Sequence, residues 1–199
     1  MLRLFDLGAR VFPGVSDPRP RVVGVTDGGG GVDGVVRLEP WAEGDLWLLR
    51  RLNSAEMTAH LGGPESEEQL LARHRRYVEP GDGRMYRVVL ADDERTVGSV
   101  GYWEREWRGG TVWEAGWAVL PGFQGRGLAA AAARAVIEAA RAAGGHRYLH
   151  AYPKVTHAAS NTVCRRAGFT LLGEVGFEYP KGNPIRCNDW RYDLAADGS

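Results

Sequence analysis

Cysteine is scarce in this chain, with two among 199 residues, Cys164 and Cys187. A small secreted scaffold stapled by disulfides needs more, so the pair reads as free thiols of a reducing compartment. An excess of one charge is also lacking. Lys plus Arg and Asp plus Glu both total 25, a formal net charge of zero. No global field is available to hold nucleic acid or an anionic membrane, although a local basic pocket stays open. Long apolar runs are missing, and Asp6 interrupts the short one at the N-terminus. No signal peptide or membrane span is expected, and the cytoplasm is the expected location. His146, His150 and His157 lack a recognised ligand spacing, so no metal is expected.

What is present is an ordinary globular composition, 44% hydrophobic and 25% charged. Residues 1–33 carry several prolines and the run Gly28-Gly29-Gly30-Gly31, and read as an arm or linker. No Gly-Lys-Ser/Thr follows that run, which argues against a phosphate loop. Residues 34–195 form the expected domain. Val35 to Glu39 reads as a strand, and Asp45 as the cap of a helix striped by Leu46, Leu49 and Leu52. After a loop over Asn53 to Glu65, Ser66 and Gln69 form a capping box for a second helix. Three strands follow, Met85 to Leu90, Val97 to Trp103 and Thr111 to Leu120, joined by short turns that suit antiparallel neighbours. An alanine-rich helix runs from Leu128 to about Ala143. Beyond it lie a strand over Tyr148 to Tyr152 and a helix over Thr156 to Ala167. Strands over Thr170 to Tyr179 and Arg186 to Leu194 close the chain. The order predicts an α/β (α+β) domain on a mixed, mostly antiparallel sheet flanked by helices.

The segment from Trp113 to Ala129 carries the most chemistry. A strand enters the turn Gln124-Gly125-Arg126-Gly127, which opens the long helix. The first amides of a helix lack internal partners and carry the positive end of its dipole. With Gly125 and Gly127 bare of side chains, a diphosphate can approach those amides, and Arg126 adds a charge. A glycine turn before a helix is common without any ligand, so the pattern alone leaves both readings open. The Walker and dinucleotide alternatives fit poorly: Leu128-Ala129 stands where Lys-Ser/Thr is needed, and no acidic residue ends the next strand.

Three motifs in order resemble the GCN5-related N-acetyltransferase (GNAT) superfamily. Gln124-Gly125-Arg126-Gly127-Leu128-Ala129 matches its Gln/Arg-x-x-Gly-x-Gly/Ala signature, and His157 to Phe169 looks like its Asn-x-x-Ser…Gly-Phe helix. Leu52-Asn53-Ser54 through Pro64 is similar to the branch of ribosomal-protein N-terminal acetyltransferases. The resemblance spans Gly34 to Leu194 and implies acetyl-CoA as cosubstrate. It places the CoA diphosphate on the amides of Gln124, Gly125, Arg126, Gly127, Leu128 and Ala129, and the pantetheine arm on the backbone at Val119 and Leu120. Two positions depart from the pattern. His157 replaces the expected Asn, whose contact to pantetheine Asn161 would take over. Cys164 stands where many relatives carry a tyrosine general acid, which leaves water, Cys164 or Tyr152 to protonate the thiolate.

Glu114 is the expected general base, acting directly or through water. Alternation puts it on one face with Gly116 and Ala118, and Trp113, Ala115 and Trp117 on the other. The competing reading is an ion pair with an arginine that only stabilises the sheet. Tyr152 and Trp103 are the candidates for the acceptor pocket, against ordinary core packing. An α-amine has a pKa of about 7.7–8.0 and lysine about 10.4, which tilts the acceptor toward a terminal amine without deciding between peptide and small molecule. The expected partners are acetyl-CoA, that amine and, as an open alternative, a second copy in a homodimer. A CoA-binding sensor or interaction module that has lost catalysis is the rival from another class.

Overall fold

Fourteen strand and helix segments lie along residues 35–79, 81, 83–178 and 182–196, which the computed structural model describes. The expected arm, residues 1–33, lies outside the described residues, as does residue 34. β1 is Val36–Pro40, α1 Leu46–Leu52, α2 Ala55–Thr58 and α3 Glu67–Val78. Then come β2 (Gly83–Leu90), β3 (Thr96–Trp107), β4 (Gly110–Val119) and α4 (Leu128–Ala143). β5 (Tyr148–Ala151), α5 (Ala158–Arg166), β6 (Thr170–Glu178) and β7 (Pro184–Asp193) complete the order, and two 3₁₀ turns cover Glu43–Asp45 and Pro121–Phe123.

The strands form one seven-stranded sheet in the order β1-β2-β3-β4-β5-β7-β6. Only β4 and β5 are parallel, as a strand pair joined by the α4 crossover must be. The expected mixed, mostly antiparallel sheet with helical flanks is thus observed. β3 runs four residues past the expected Trp103, because Arg108 (φ 50°) and Gly109 (φ 83°) make a two-residue turn that keeps Trp107 paired with Gly110. Both turn residues are left-handed, which suits the twist of a tight hairpin.

Two cores cover the two faces of the sheet. On one, Ala132, Ala133, Val136, Ile137 and Ala140 of α4 pack on Val88, Val100, Trp113 and Leu149. Ala132, Ala133 and Ala140 are fully buried, so α4 lies close to the sheet and a larger side chain there would cost about 1–3 kcal/mol. On the other face, Leu48, Leu49 and Leu52 of α1 and Leu70 and Tyr77 of α3 pack on Met85 and Trp103. Tyr86 and Met85, neighbours in β2, fall in opposite cores, as strand alternation requires.

The helix ends follow local chemistry. Ser66 Oγ accepts from Gln69 N, and Gln69 Oε1 accepts from Ser66 N, the expected capping box. Asp45 does not cap α1 as expected. Its carboxylate accepts from Ala42 N at 2.8 Å and pairs with Arg87 at 3.2 Å, which closes the preceding 3₁₀ turn instead. The expected loop after α1 contains α2, capped by Ser54. Asn53 clamps that loop shut, donating to Glu65 O at 2.8 Å and accepting from Glu65 N at 2.9 Å. α5 ends where Gly168 turns left-handed (φ 88°): Phe169 N bonds Cys164 O and Gly168 N bonds Arg165 O. That pair of bonds satisfies the last carbonyls and tucks Phe169 into the core, which accounts for the Gly-Phe pair.

Candidate active site

β4 and β5 pair at Trp113 with Leu149 and at Glu114 with His150, and nowhere beyond. Past that point they part, and residues 115–119 and 151–154 line the two sides of the opening. The register on β3 decides which backbone groups of β4 face it. Leu120 N donates to Val97 O at 2.8 Å. Because bonded and non-bonded pairs alternate, Trp117 and Val119 turn their amides to the open side. Leu120 therefore departs from expectation: its amide is spent in the sheet and its side chain is buried.

The glycine turn sits at the mouth of this fork. Gly125 (φ 74°) and Gly127 (φ 79°) are both left-handed, a conformation that costs other residues about 1–2 kcal/mol. Gly127 is the N-cap of α4, and its carbonyl takes the N–H of Ala130 and of Ala131. Among the described residues, the amides of Gly125, Arg126, Gly127, Leu128 and Ala129 donate to no backbone carbonyl. Gln124 is different from expectation, since its amide donates to Pro121 O and its side chain to Val119 O at 2.9 Å. It braces the turn against β4. The Arg126 side chain is exposed and lies outside the cavity lining.

Turn and fork open into one cavity of about 670 Å³, whose lining includes Gly125, Gly127, Leu128, Ala129, Val119, Glu114 and Tyr152. Glu114 is 4% exposed, and its Oε2 accepts from Arg105 Nη1 at 2.7 Å. Glu114 thus has an arginine partner and borders the cavity. Oε1 has no hydrogen-bond partner among the described residues. The Tyr152 hydroxyl is also buried and without a partner among them. Burial, Asp189 and Glu114 push its pKa up, so the phenol stays protonated and can donate a hydrogen bond, while the same shift makes it a weaker acid than an ordinary tyrosine. His150 stacks beside it, 5.7 Å between centroids, and is fixed through Nδ1 to Asp189 Oδ1 at 2.7 Å.

The remaining candidates fall elsewhere. Asn161 does not line the cavity. Its Nδ2 donates to Lys154 O and His157 O, and its Oδ1 accepts from Asn188 and Trp190. The amide has no capacity left for a ligand; it ties α5 to β7. Trp103 is 3% exposed in the core beneath α1 and α3, not in a pocket wall. Cys164 is fully buried against α4, with its thiol pushed up to about 12 by burial, and is no proton donor to the cavity. The histidines disperse: His146 bonds Glu104, His150 bonds Asp189, and His157 stacks on His60 at 4.0 Å. His60 and His157 both line the cavity. Burial first, then His60, lowers the His157 pKa to about 4.

Arg105, Asp189 and His60 were not singled out by sequence. Arg105 had a signal, because the tight turn at Arg108-Gly109 fixes a register that puts it diagonal to Glu114. His60 had none, since only the folded loop brings it to α5.

Residues 36–170 match the acetyltransferase (GNAT) domain family. No curated protein sequence matches the chain significantly. Solved structures share the fold at low identity. A GNAT-family acetyltransferase of Bacillus anthracis is 16% identical with a TM-score of 0.68, over 81% of this chain and 96% of that one. A Salmonella typhimurium acetyltransferase that modifies the N-terminal serine of ribosomal protein L7/L12 is 19% identical with a TM-score of 0.65, over 80% and 95%. Spermidine N-acetyltransferase of Vibrio cholerae, with CoA and spermine, is 16% identical with a TM-score of 0.67, over 80% and 96%. With residues 36–170, more than half its length, matched by the family, the chain belongs to the GNAT acetyltransferase family.

Proposed function

We propose that the protein moves an acetyl group from acetyl-CoA to the α-amino group of a protein N-terminus by direct attack. One observation carries the donor half: five amides without backbone partners among the described residues, Gly125 to Ala129, cluster at the mouth of the cavity that reaches Glu114. They would hold the diphosphate at the positive end of α4. The amides of Trp117 and Val119 would hold the pantetheine arm, as an added strand holds a sheet edge. The thioester then lies at the fork, beside Glu114 and Tyr152.

In the reaction the amine nitrogen bonds to the thioester carbonyl carbon and the C–S bond breaks. Glu114 Oε1 orients the amine and takes its proton, directly or through water. The CoA thiolate leaves and gains a proton from the Tyr152 hydroxyl or from water. Fixing the amine against the thioester contributes more than the basicity of a carboxylate. The absence of a tyrosine at Cys164 favours the rival reading, a CoA-binding sensor without turnover; the unpartnered Tyr152 hydroxyl beside the cavity supports turnover.

Charge pairing supports this acceptor. Of the acids lining the cavity, Glu65 is paired with Arg73 and Glu114 with Arg105, which leaves Glu56 without an ion-pair partner among the described residues. A polyamine or aminoglycoside carries several ammonium groups and needs more uncompensated acid than that. A single α-amine, with a pKa of about 7.7–8.0, is already partly neutral near pH 7 and needs little. The test is mass spectrometry of acetyl transfer to peptides with free N-termini, run beside spermidine and an aminoglycoside. Peptide acetylation that Glu114→Gln lowers by about 100-fold supports the reading. Transfer to the polycations alone overturns the acceptor, and no transfer to any amine favours the sensor.

A further inference from the structure

Among the described residues, the charged hydrogen bond of Arg105 goes to Glu114, and three aromatic rings flank its guanidinium. The β3–β4 register puts Arg105 opposite Val112 and Glu114 opposite Trp103, so the two residues are diagonal neighbours on one face. Nη1 meets Glu114 Oε2 at 2.7 Å. The guanidinium carbon lies 4.6 Å from the Phe177 ring centroid, 4.9 Å from Tyr152 and 5.8 Å from Trp107. These rings come from β6, from the residue after β5 and from β3, so three separate parts of the sheet converge on one cation. Arg105 Nε is buried and has no partner among the described residues. The orientation of the guanidinium is therefore set by ring faces on its flanks and by Glu114 at its tip.

We propose that Arg105 is a positioning residue for transfer: it commits Glu114 Oε2, so that Oε1 alone points at the acceptor amine. The proposal rests on the reading of Glu114 as the acceptor-side base. Burying a carboxylate as deeply as Glu114 is costly without a hydrogen-bonded partner. A partner that could swing would let the carboxylate turn away from the amine. Tyr152 belongs to both groups, since its ring packs on Arg105 and its hydroxyl borders the cavity. Arg105 itself lies outside the cavity lining, so it acts through Glu114 and not on the substrate.

A double-mutant cycle on kcat tests this, using the full chain, acetyl-CoA and a peptide with an N-terminal serine. Arg105→Ala is expected to lower kcat by about 10- to 100-fold, with acetyl-CoA affinity unchanged. In the Glu114→Gln background the same change is expected to cost less than about 2-fold, because the partner it serves is gone. Added guanidinium ion should restore part of the rate to Arg105→Ala and none to Glu114→Gln. If Arg105→Ala fails to fold, Arg105→Lys carries the cycle, since it keeps the charge and loses the planar fork. Multiplicative losses in the double variant, or no loss from Arg105 variants that bind acetyl-CoA, overturn the positioning role while Glu114 stands. A Glu114→Gln variant with unchanged kcat removes the reading of Glu114 and the proposal with it.

Discussion

Glu114 on β4 and His150 on β5 form the last backbone pair before the two strands part. That pair sets the depth of the cleft. Beyond it, β4 keeps its ladder with β3 and loses its ladder with β5, so one side of a central strand is left open inside the fold. An open strand edge is an unfavourable feature unless something completes it. Here the edge lines a cavity that also takes in the start of α4, and Glu114 stands where the two strands part.

Tyr152→Phe separates the roles of the ring and the hydroxyl. The ring contacts to His150, Trp107 and Phe177 survive the change. The hydroxyl has no partner among the described residues, so stability should stay level or rise by up to about 1 kcal/mol. If the phenol protonates the thiolate, kcat should fall by about 10-fold or more. Thermal melts beside steady-state rates check both, and a destabilised variant with full activity contradicts the assignment.

Asn161→Ala should be a folding lesion and not a binding lesion. The amide satisfies Lys154 O, His157 O, Asn188 and Trp190 from one place. Its loss leaves buried polar groups unpaired, at about 1–3 kcal/mol. Denaturant midpoints should drop while the acetyl-CoA affinity of the folded protein stays within about 2-fold. An unchanged midpoint with weakened affinity restores the cofactor role.

His157 gives the stability an acid slope. Its folded pKa lies near 4, lowered from an ordinary 6.5 by burial and then by the His60 ring stacked on it. Between those values the unfolded chain takes up a proton that the folded chain refuses. Stability therefore falls as pH drops from 6.5 towards 4, and this residue adds no slope above that window. Urea denaturation at neutral pH and at about pH 5 should show the loss, and His157→Gln should flatten it. An equal slope in the variant contradicts the burial of this ring.

Much of the fold was legible because its signals are local. The Ser66 capping box, the α4 limits at Leu128 and Ala143 and the Gly168 stop all follow from side-chain chemistry within one turn of the chain. The glycine turn was legible for the same reason. Asn161 misled because a motif position says nothing about which partners the folded chain has already supplied to an amide. Leu120 and Gln124 misled because amide direction depends on register and on a 3₁₀ turn, which pattern alone does not fix. Trp103 and Trp117 are both strand tryptophans in the sequence. Only the placement of α1 and α3 over one face sends Trp103 into a core, while Trp117 donates to Ser160 beside the cavity.

The central claim is that the turn at Gly125 to Gly127 presents its amides to the acyl donor, and calorimetric titration with acetyl-CoA tests it most directly. The wild-type chain should bind near micromolar, about 8 kcal/mol. Gly127→Glu should abolish that binding, because it sets a carboxylate at the N-cap of α4 and strains a left-handed position at φ 79°. Circular dichroism and a thermal melt confirm that the variant is folded. Wild-type affinity retained in a folded Gly127→Glu protein, or no binding by the wild type, would contradict the account.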